Sequence, residues 1–355
     1  DPATGEKEIL VAAKALIPAG EKKPLTVSGY TFTKDLKKVL IYTNTRRVWR
    51  VHSRGDYWVH DRASGKLQKL GGEEAKEATL MFAKFSPADN NRVAYVRERN
   101  VYVENLATGK VTALTKRVKR TVINGTFDWV YEEELGLRDG FRWSPDGKSI
   151  AYWQLDEDSV KEMTMLNHVP GNYPQIIQFR YPKVGETNSR CRIGVVPAAG
   201  GETTWVQVEG DSREHYLARM EWADNSEQLL IQRLNRLQNR NTVLLAEAAT
   251  GKSRAVYTDK DDAWIEVRFG FTDWVGDRFT YVSEREGWRQ LYLVSRDGEA
   301  KKVTRGKYDI VRMLKLDAEN DYAYFMTSPK NATERYLYRI GLDGKGLKRL
   351  SPAKQ

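Results

Sequence analysis

The sequence predicts an all-β protein, a β-propeller made of small four-stranded antiparallel sheets. Turns that contain a glycine recur along the chain, short strands with alternating apolar residues lie between them, and no long helical pattern interrupts the series. A sheet of this size cannot bury both of its faces alone. The repeated sheets are therefore expected to stack against one another.

The recurring turn consists of a small or acidic residue followed by glycine and often by lysine. Most of its glycines are separated by about 45 residues, the length of one propeller blade, and one interval is close to two such lengths. A second polar turn, such as Ser86-Pro87-Ala88-Asp89, lies near the middle of most intervals, and an apolar strand follows it. The glycines of the recurring turn are Gly5, Gly65, Gly109, Gly200, Gly251, Gly298 and Gly344.

These turns define six modules and a shorter leading segment, a half-hairpin over residues 1–14. The modules cover about residues 26–70, 79–115, 141–208, 216–257, 265–305 and 308–350. Because the chain opens inside a turn, we expect that the leading strands of the first blade and a closing blade are missing, and that residues 1–355 are a fragment of a longer polypeptide. Residues 116–140 and 155–190 do not fit the repeat, and insertions of this kind are where a propeller places function.

Composition excludes several classes of function. The 58 lysines and arginines exceed the 48 aspartates and glutamates, which gives a net charge of +10, but acidic residues are interleaved, so a solvated surface is expected and a nucleic-acid partner is not. The single cysteine, Cys191, excludes an internal disulfide, and the four histidines lack the spacing of zinc ligands. No apolar run is long enough for a membrane span. We expect no metal and no cofactor.

The first insertion contains the acidic run from Asp128 to Gly136. Asp128 is a suitable N-cap, acidic residues favour the first turns of a helix, and Gly136 is suited to end it, so a short helix is predicted at about residues 127–136. The local pattern is typical of an acidic surface helix. A second interpretation is that the carboxylates of Glu132–Glu134 bind a small cation, such as the protonated α-amine of a peptide, whose three N–H donors suit two carboxylates.

Three segments resemble the propeller domain of the dipeptidyl peptidase IV family, whose members are serine exopeptidases of the prolyl oligopeptidase clan. They are Asp128-Trp129-Val130-Tyr131-Glu132-Glu133-Glu134, the run from Trp143 to Tyr152, and the run from Tyr181 to Asn188. The likeness extends in order over about residues 26–350, is strongest over residues 124–190 and favours a bacterial member. It implies an eight-bladed propeller, of which this chain holds about six full blades and a partial one.

The resemblance assigns roles to particular residues. It implies that Glu133 and Glu134 hold the free N-terminus of a peptide substrate, with Glu132 as their supporting neighbour. It also implies that Arg50, which follows Trp49, contacts a backbone carbonyl of the bound peptide. A strand-end arginine with other arginines close by is equally typical of a solvated salt-bridge partner, and that alternative stays open for Arg50.

The resemblance further aligns Arg268, across a gap, with an arginine of the extended substrate site. Family enzymes release dipeptides that carry proline or alanine in the second position, and their catalytic triad lies in an α/β-hydrolase domain that follows the propeller. We expect that domain to be missing here, because Gly147-Lys148-Ser149-Ile150-Ala151 fails the nucleophile motif at its fifth position. The chain alone is therefore expected to hold no catalytic residue and to be inactive.

Three alternatives stay open. A relative that releases tripeptides uses the same amine anchor with a different offset, and a non-catalytic propeller binds peptides or proteins without cleaving them. A nucleic-acid-binding ring rests only on the net charge. His168 and His215 lack a nucleophile partner and are interpreted as hydrogen-bonded structural residues. The resemblance also implies a periplasmic or extracellular location, peptide substrates with a free N-terminus, and a homodimer of the full enzyme.

Overall fold

The structure is a computed structural model that describes residues 3–267, 273–331 and 333–352. The chain divides into two compact units, Asp1–Thr204 and Trp205–Gln355. Within the described residues, the strands form six successive four-stranded antiparallel arrangements and one separate two-stranded hairpin. The six modules predicted from the spacing of the turns are confirmed.

The first three sheets begin in the first unit, and the unit boundary falls within the last strand of the third. The first sheet has β1 (Gly29–Phe32), β2 (Lys38–Val48), β3 (Val51–Asp61) and β4 (Leu67–Lys69). The second has β5 (Leu80–Phe85), β6 (Arg92–Arg97), β7 (Asn100–Asn105) and β8 (Val111–Ala113), and a single pairing of Gly55 with Leu80 joins it to the first. The third has β10 (Phe141–Trp143), β11 (Ser149–Asp156), β14 (Arg190–Pro197) and β15 (Thr204–Trp205), and β9 (Val122–Asn124) also pairs with β11.

The second unit contains the last three sheets. The fourth has β16 (His215–Trp222), β17 (Gln228–Asn235), β18 (Arg240–Glu247) and β19 (Ser253–Lys260). The fifth has β20 (Trp274–Val275), β21 (Arg278–Ser283), β22 (Gln290–Ser295) and β23 (Ala300–Lys302). The sixth has β24 (Ile310–Asp317), β25 (Tyr322–Thr327), β26 (Tyr336–Gly341) and β27 (Lys348–Arg349).

The central strands are buried on both faces. In β6, all side chains of Val93–Val96 are fully buried, although successive side chains of a strand point to opposite faces. An apolar cluster joins Val93 and Tyr95 to Leu40 and Tyr57 of the first sheet. The second sheet thus shares a core with its neighbour, as the stacking argument requires.

The glycines of the recurring turn all have positive φ angles, between +71° and +93°. Side chains with a Cβ rarely adopt this conformation, which explains why glycine marks the repeat. In the second unit, some of these glycines also touch the preceding sheet. A Cβ at Gly298 would lie 2.0 Å from the carbonyl oxygen of Val256 in β19, and one at Gly344 would lie 3.0 Å from that of Val303.

The leading segment differs from its prediction. Residues 3–14 contain no strand, so the half-hairpin over residues 1–14 is not formed, and a 3-10 helix spans Ala13–Leu16. Leu16 is buried against Val39 and Ile41 of β2. A strand needs a partner for its backbone groups, whereas this segment packs Val11 and Leu16 on the first sheet without strand pairing.

The two insertions have defined structures in the first unit. The first contains the α-helix α1 (Trp129–Glu133), within the predicted range 127–136. The second contains the separate hairpin of β12 (Glu162–Asn167) and β13 (Gln175–Arg180). Over the part of the chain that the structure describes, neither helix has the length and apolarity that crossing a bilayer demands.

We expect Gly298→Ala to lower the free energy of unfolding by about 1–3 kcal/mol more than Gly287→Ala, which is the matched control. Both glycines flank β22 and have positive φ angles of +92° and +84°, but nothing lies within 4 Å of a Cβ at Gly287. The strain of the left-handed conformation is therefore common to both variants, and the clash with Val256 is not. Urea unfolding of the two variants measures the difference, and equal losses would show that the contact with the preceding sheet is unimportant.

Candidate functional site

Helix α1 begins and ends where the sequence predicts. The carboxylate of Asp128 accepts a hydrogen bond from the backbone N–H of Tyr131 at 3.0 Å, which is the N-cap interaction. Gly136 has a φ angle of +66°, and the N–H of Leu137 donates to the carbonyl oxygen of Tyr131 at 3.0 Å. Five residues are too few for a stable helix in water, so the contacts of α1 with its surroundings hold it in place.

Asp128 connects the start of the helix to a part of the third module that is distant in sequence. Its second carboxylate oxygen accepts a hydrogen bond from the hydroxyl of Ser189 at 2.6 Å. Asp128 is buried, and this burial raises the pKa of its carboxyl group, while the hydrogen bonds from Ser189 and Tyr131 oppose the rise. The bonds that satisfy the carboxylate also fix the orientation of α1.

The three glutamates at the end of α1 have different surroundings. Glu132 is half-buried and forms an ion pair with Arg138, in which Nε and Oε1 are 3.2 Å apart. Burial raises the pKa of Glu132, and the charge of Arg138 opposes this. Glu133 and Glu134 are exposed. Among the described residues, the Glu134 side chain has no ion-pair or hydrogen-bond partner.

Arg50 lies beside this pair of exposed glutamates. It occupies the tight turn between β2 and β3, where Trp49 has a φ angle of +54°. The Nη2 atom of Arg50 is 2.7 Å from Oε1 of Glu133, and 76% of the Arg50 side chain is exposed. The structure therefore brings Arg50 into contact with Glu133, which lies far from it in the sequence and is followed directly by Glu134.

This group carries one net negative charge. Glu133 and Glu134 contribute two negative charges and Arg50 one positive charge, whereas Arg138 neutralises Glu132. The C-terminal end of a helix also carries a partial negative charge, which favours a cation. The arrangement suits a ligand that combines an ammonium group with a carbonyl oxygen, because carboxylates accept the N–H bonds and a guanidinium donates to the carbonyl.

Several residues around the group were not predicted from the sequence. Trp49 packs edge-on against Phe179 of β13, with ring centroids 4.8 Å apart, and Trp129 of α1 packs against Tyr181 at 4.4 Å. The sequence signals were that residues 155–190 depart from the repeat and that Trp49, Trp129 and Tyr181 lie in or beside the segments that carry the family resemblance, but none of them indicated these ring contacts. The neutralising role of Arg138 had no signal, because nothing in its local sequence indicates which carboxylate it meets.

Trp49 also lines two clefts of the first unit. One cleft, of about 400 Å³, is lined by Arg54, Glu98 and Glu132 among others. The second, of about 280 Å³, lies beside Asp128 and Phe179. Trp49 therefore lies close to both the foot of the helix and the base of the β12–β13 hairpin.

The remaining sequence candidates do not add to this group. Arg268 lies outside the described residues. The part of the chain that the structure describes contains no cluster of three or more histidine, cysteine, aspartate or glutamate residues that is arranged to bind a metal. His168 is exposed at the tip of the β12–β13 hairpin.

His215 corrects an expectation. It is buried at the start of β16, and neither of its ring nitrogens has a hydrogen-bond partner, so it is not the hydrogen-bonded structural histidine that was predicted. Burial, together with the nearby charge of Arg233, lowers its pKa from 6.5 to about 4. A neutral imidazole is the form that this site accepts.

Over the described residues, six four-stranded arrangements with a short inserted helix define an all-β propeller, the fold class predicted from the sequence. The chain belongs to the dipeptidyl peptidase IV family, because the family model of the dipeptidyl peptidase IV (DPP IV) N-terminal region matches residues 33–355. The resemblance stated from the sequence is confirmed.

Individual relatives agree with this assignment. The chain is 28% identical over 344 residues to a probable dipeptidyl peptidase 4 of Aspergillus fumigatus, covering 92% of this chain and 44% of the relative. It is 28% identical over 353 residues to dipeptidyl peptidase 4 of Trichophyton rubrum, covering 96% and 45%. The chain thus spans a little less than half the length of these curated relatives.

A solved structure is similar over nearly the whole chain. The crystal structure of Porphyromonas gingivalis dipeptidyl peptidase 4 matches with a TM-score of 0.89 and 26% identity, covering 98% of this chain and 49% of that chain. A putative dipeptidyl aminopeptidase IV from Bacteroides ovatus matches with a TM-score of 0.77 and 18% identity, which shows the shared fold alone.

We expect Asp128→Ala to lower the free energy of unfolding by about 1–2 kcal/mol, because it removes the N-cap. Asp128→Asn is the matched comparison, since an amide keeps the acceptor for the Tyr131 N–H and removes a carboxyl group whose pKa burial raises. The asparagine variant should therefore be within about 0.5 kcal/mol of the parent, or more stable. Urea unfolding at pH 7 measures both, and an equally large loss in the asparagine variant would mean that the charge itself is required.

The depressed pKa of His215 predicts a pH dependence of stability. The unfolded chain binds a proton near pH 6.5 and the folded chain only near pH 4, so the contribution of His215 is complete above pH 6.5 and is lost as the pH falls toward 4. Between pH 7 and pH 5, the parent should lose about 2 kcal/mol more stability than His215→Leu. His168→Leu, at an exposed site, should behave like the parent; a parallel response of all three proteins in urea titrations would refute the assignment.

Proposed function

We propose that this chain is the substrate-recognition propeller of a dipeptidyl peptidase IV-like serine exopeptidase, which releases Xaa-Pro and Xaa-Ala dipeptides from peptide N-termini. One observation carries the proposal: Arg50 and Glu133 form a 2.7 Å ion pair beside the exposed Glu134. The family membership of the chain and the names of its curated relatives support the same activity for the parent protein.

The protonated α-amine of the peptide binds between Glu133 and Glu134. Its three N–H donors match the carboxylate oxygens, and its charge neutralises the net negative charge of the group. Arg50, most of whose side chain is exposed, then donates to a backbone carbonyl of the same peptide. An N-terminus without a positive charge loses this anchor, so an acetylated peptide binds much more weakly.

Anchoring the amine determines where the chain is cut. Two extended residues span roughly 7 Å, so the carbonyl after the second residue lies at a constant distance from the anchor. A nucleophile held there by an α/β-hydrolase domain of the parent protein attacks this carbonyl and no other. In this proposal the propeller selects the bond, and the hydrolase domain supplies the chemistry.

The proposal predicts how peptides with a free N-terminus bind to the 355-residue chain. For a Gly-Pro-initiated peptide labelled at its C-terminus, Glu133→Gln or Glu134→Gln should raise the dissociation constant roughly ten- to a hundredfold, because each removes a charge-assisted contact of about 1.5–3 kcal/mol. Fluorescence anisotropy measures the binding. Acetylation of the peptide should weaken binding to the parent chain by at least as much.

Glu202→Gln is the matched control, because Glu202 is an exposed glutamate of the same unit on the loop between β14 and β15, beyond the end of β14 that lies opposite Ser189. It removes the same charge away from α1 and should leave the dissociation constant within about twofold. If acetylation leaves the dissociation constant unchanged, the proposal that this group binds the α-amine is wrong. If one glutamine variant binds normally, that glutamate is not an anchor.

A further inference from the structure

The hairpin of β12 and β13 stands apart from the third sheet. Its strands pair only with each other among the described residues. Side chains toward its tip, including Leu166, Tyr173 and Ile176, are exposed, whereas Phe179 and Tyr181 at its base are half-buried. The base of the hairpin is therefore the part that packs against the rest of the first unit.

The base of the hairpin contacts both halves of the candidate amine site. Phe179 meets Trp49 edge-to-face, with centroids 4.8 Å apart and planes at 63°. Tyr181 meets Trp129 at 4.4 Å and 58°. Phe179 and Tyr181 lie 6.1 Å apart at 84°. The four rings form a continuous series, which we call the aromatic bridge, from the residue before Arg50 to the first residue of α1.

Both ends of the aromatic bridge need external support. Trp49 adopts a positive φ angle of +54°, which is unfavourable for a bulky side chain and persists only where the surroundings impose it. Helix α1 has a single turn and a half and is not stable by itself. A change in the position of Trp49 moves Arg50, and a rotation of α1 about Asp128 moves Glu133.

We propose that Phe179 and Tyr181 are positioning residues, which set the separation and orientation of Arg50 and Glu133 through Trp49 and Trp129. They touch no part of the bound peptide. The inference rests on the proposed function, because it concerns the same amine site. The inference goes beyond the proposed function because it assigns a role to the second insertion. The base of the β12–β13 hairpin fixes the position of the turn with Arg50 relative to the helix with Glu133.

Substitutions that keep the apolar bulk of the bridge test this role. Phe179→Leu and Tyr181→Leu each remove one ring contact, and each should weaken binding of the Gly-Pro-initiated peptide about five- to tenfold. Phe179→Tyr keeps the edge-to-face contact and should bind like the parent chain. Ile177→Ala is the matched control, because Ile177 is two residues away on the same face of β13 and has no ring contact with Trp49.

A double-mutant cycle separates positioning from a general loss of structure. In a Glu133→Gln background, Phe179→Leu should change the dissociation constant by less than about twofold, since the contact that it positions is already absent. Phe179→Leu should change the thermal midpoint by the same amount in the parent and in the Glu133→Gln background. Binding of the acetylated peptide should not respond to Phe179→Leu at all.

The possible results separate the positioning role of Phe179 and Tyr181 from the amine site itself. Equal weakening by Phe179→Leu and Ile177→Ala, failure of Phe179→Tyr to bind normally, or an undiminished effect in the Glu133→Gln background would each overturn the positioning role. Indifference of the parent chain to acetylation would overturn the amine site itself. The second result is read from the parent chain alone and is thus distinct from the first.

Discussion

The need to cover both faces of a small sheet shapes this molecule. Each four-stranded sheet has apolar side chains on two sides, and a strand such as β6 is buried along its whole apolar length only because neighbouring structure lies against each face. The same demand explains the turn glycines. Gly298 and Gly344 approach backbone carbonyls of the preceding sheet so closely that a side chain there would prevent contact.

The side chains of regularly stacked sheets are largely used for packing, and the candidate functional residues lie mainly in the insertions. Helix α1 and the β12–β13 hairpin are not needed for the sheets, yet both are tied to them, α1 by the buried hydrogen bond of Asp128 with Ser189 and the hairpin by the aromatic contact of Phe179 with Trp49. A short helix and a strained turn are weak elements on their own. Held against each other, they pair the Arg50 guanidinium with the exposed carboxylate of Glu133, next to Glu134 in the chain.

The sequence was informative wherever a local rule decides the structure. Positive φ angles explain why glycine repeats, Asp128 and Gly136 are recognisable as helix ends, and the polar turns locate the hairpins. The prediction of a half-hairpin over residues 1–14 was wrong because strand formation depends on a partner strand, which local sequence does not reveal. The prediction for His215 was wrong for a related reason. Hydrogen-bond partners are set by the packing of distant residues, and no partner contacts its ring nitrogens.

By itself, the sequence determined the repeated all-β architecture, the family and the identity of the acidic helix, because each depends on residue type and spacing along the chain. Only the tertiary structure decided that Arg50 pairs with Glu133, that Arg138 neutralises Glu132, and that Phe179 and Tyr181 link Trp49 to Trp129. Apart from the pair of Arg138 and Glu132, these contacts join segments that are remote in sequence. Their geometry arises when strands pair and insertions fold back, and no local pattern records it.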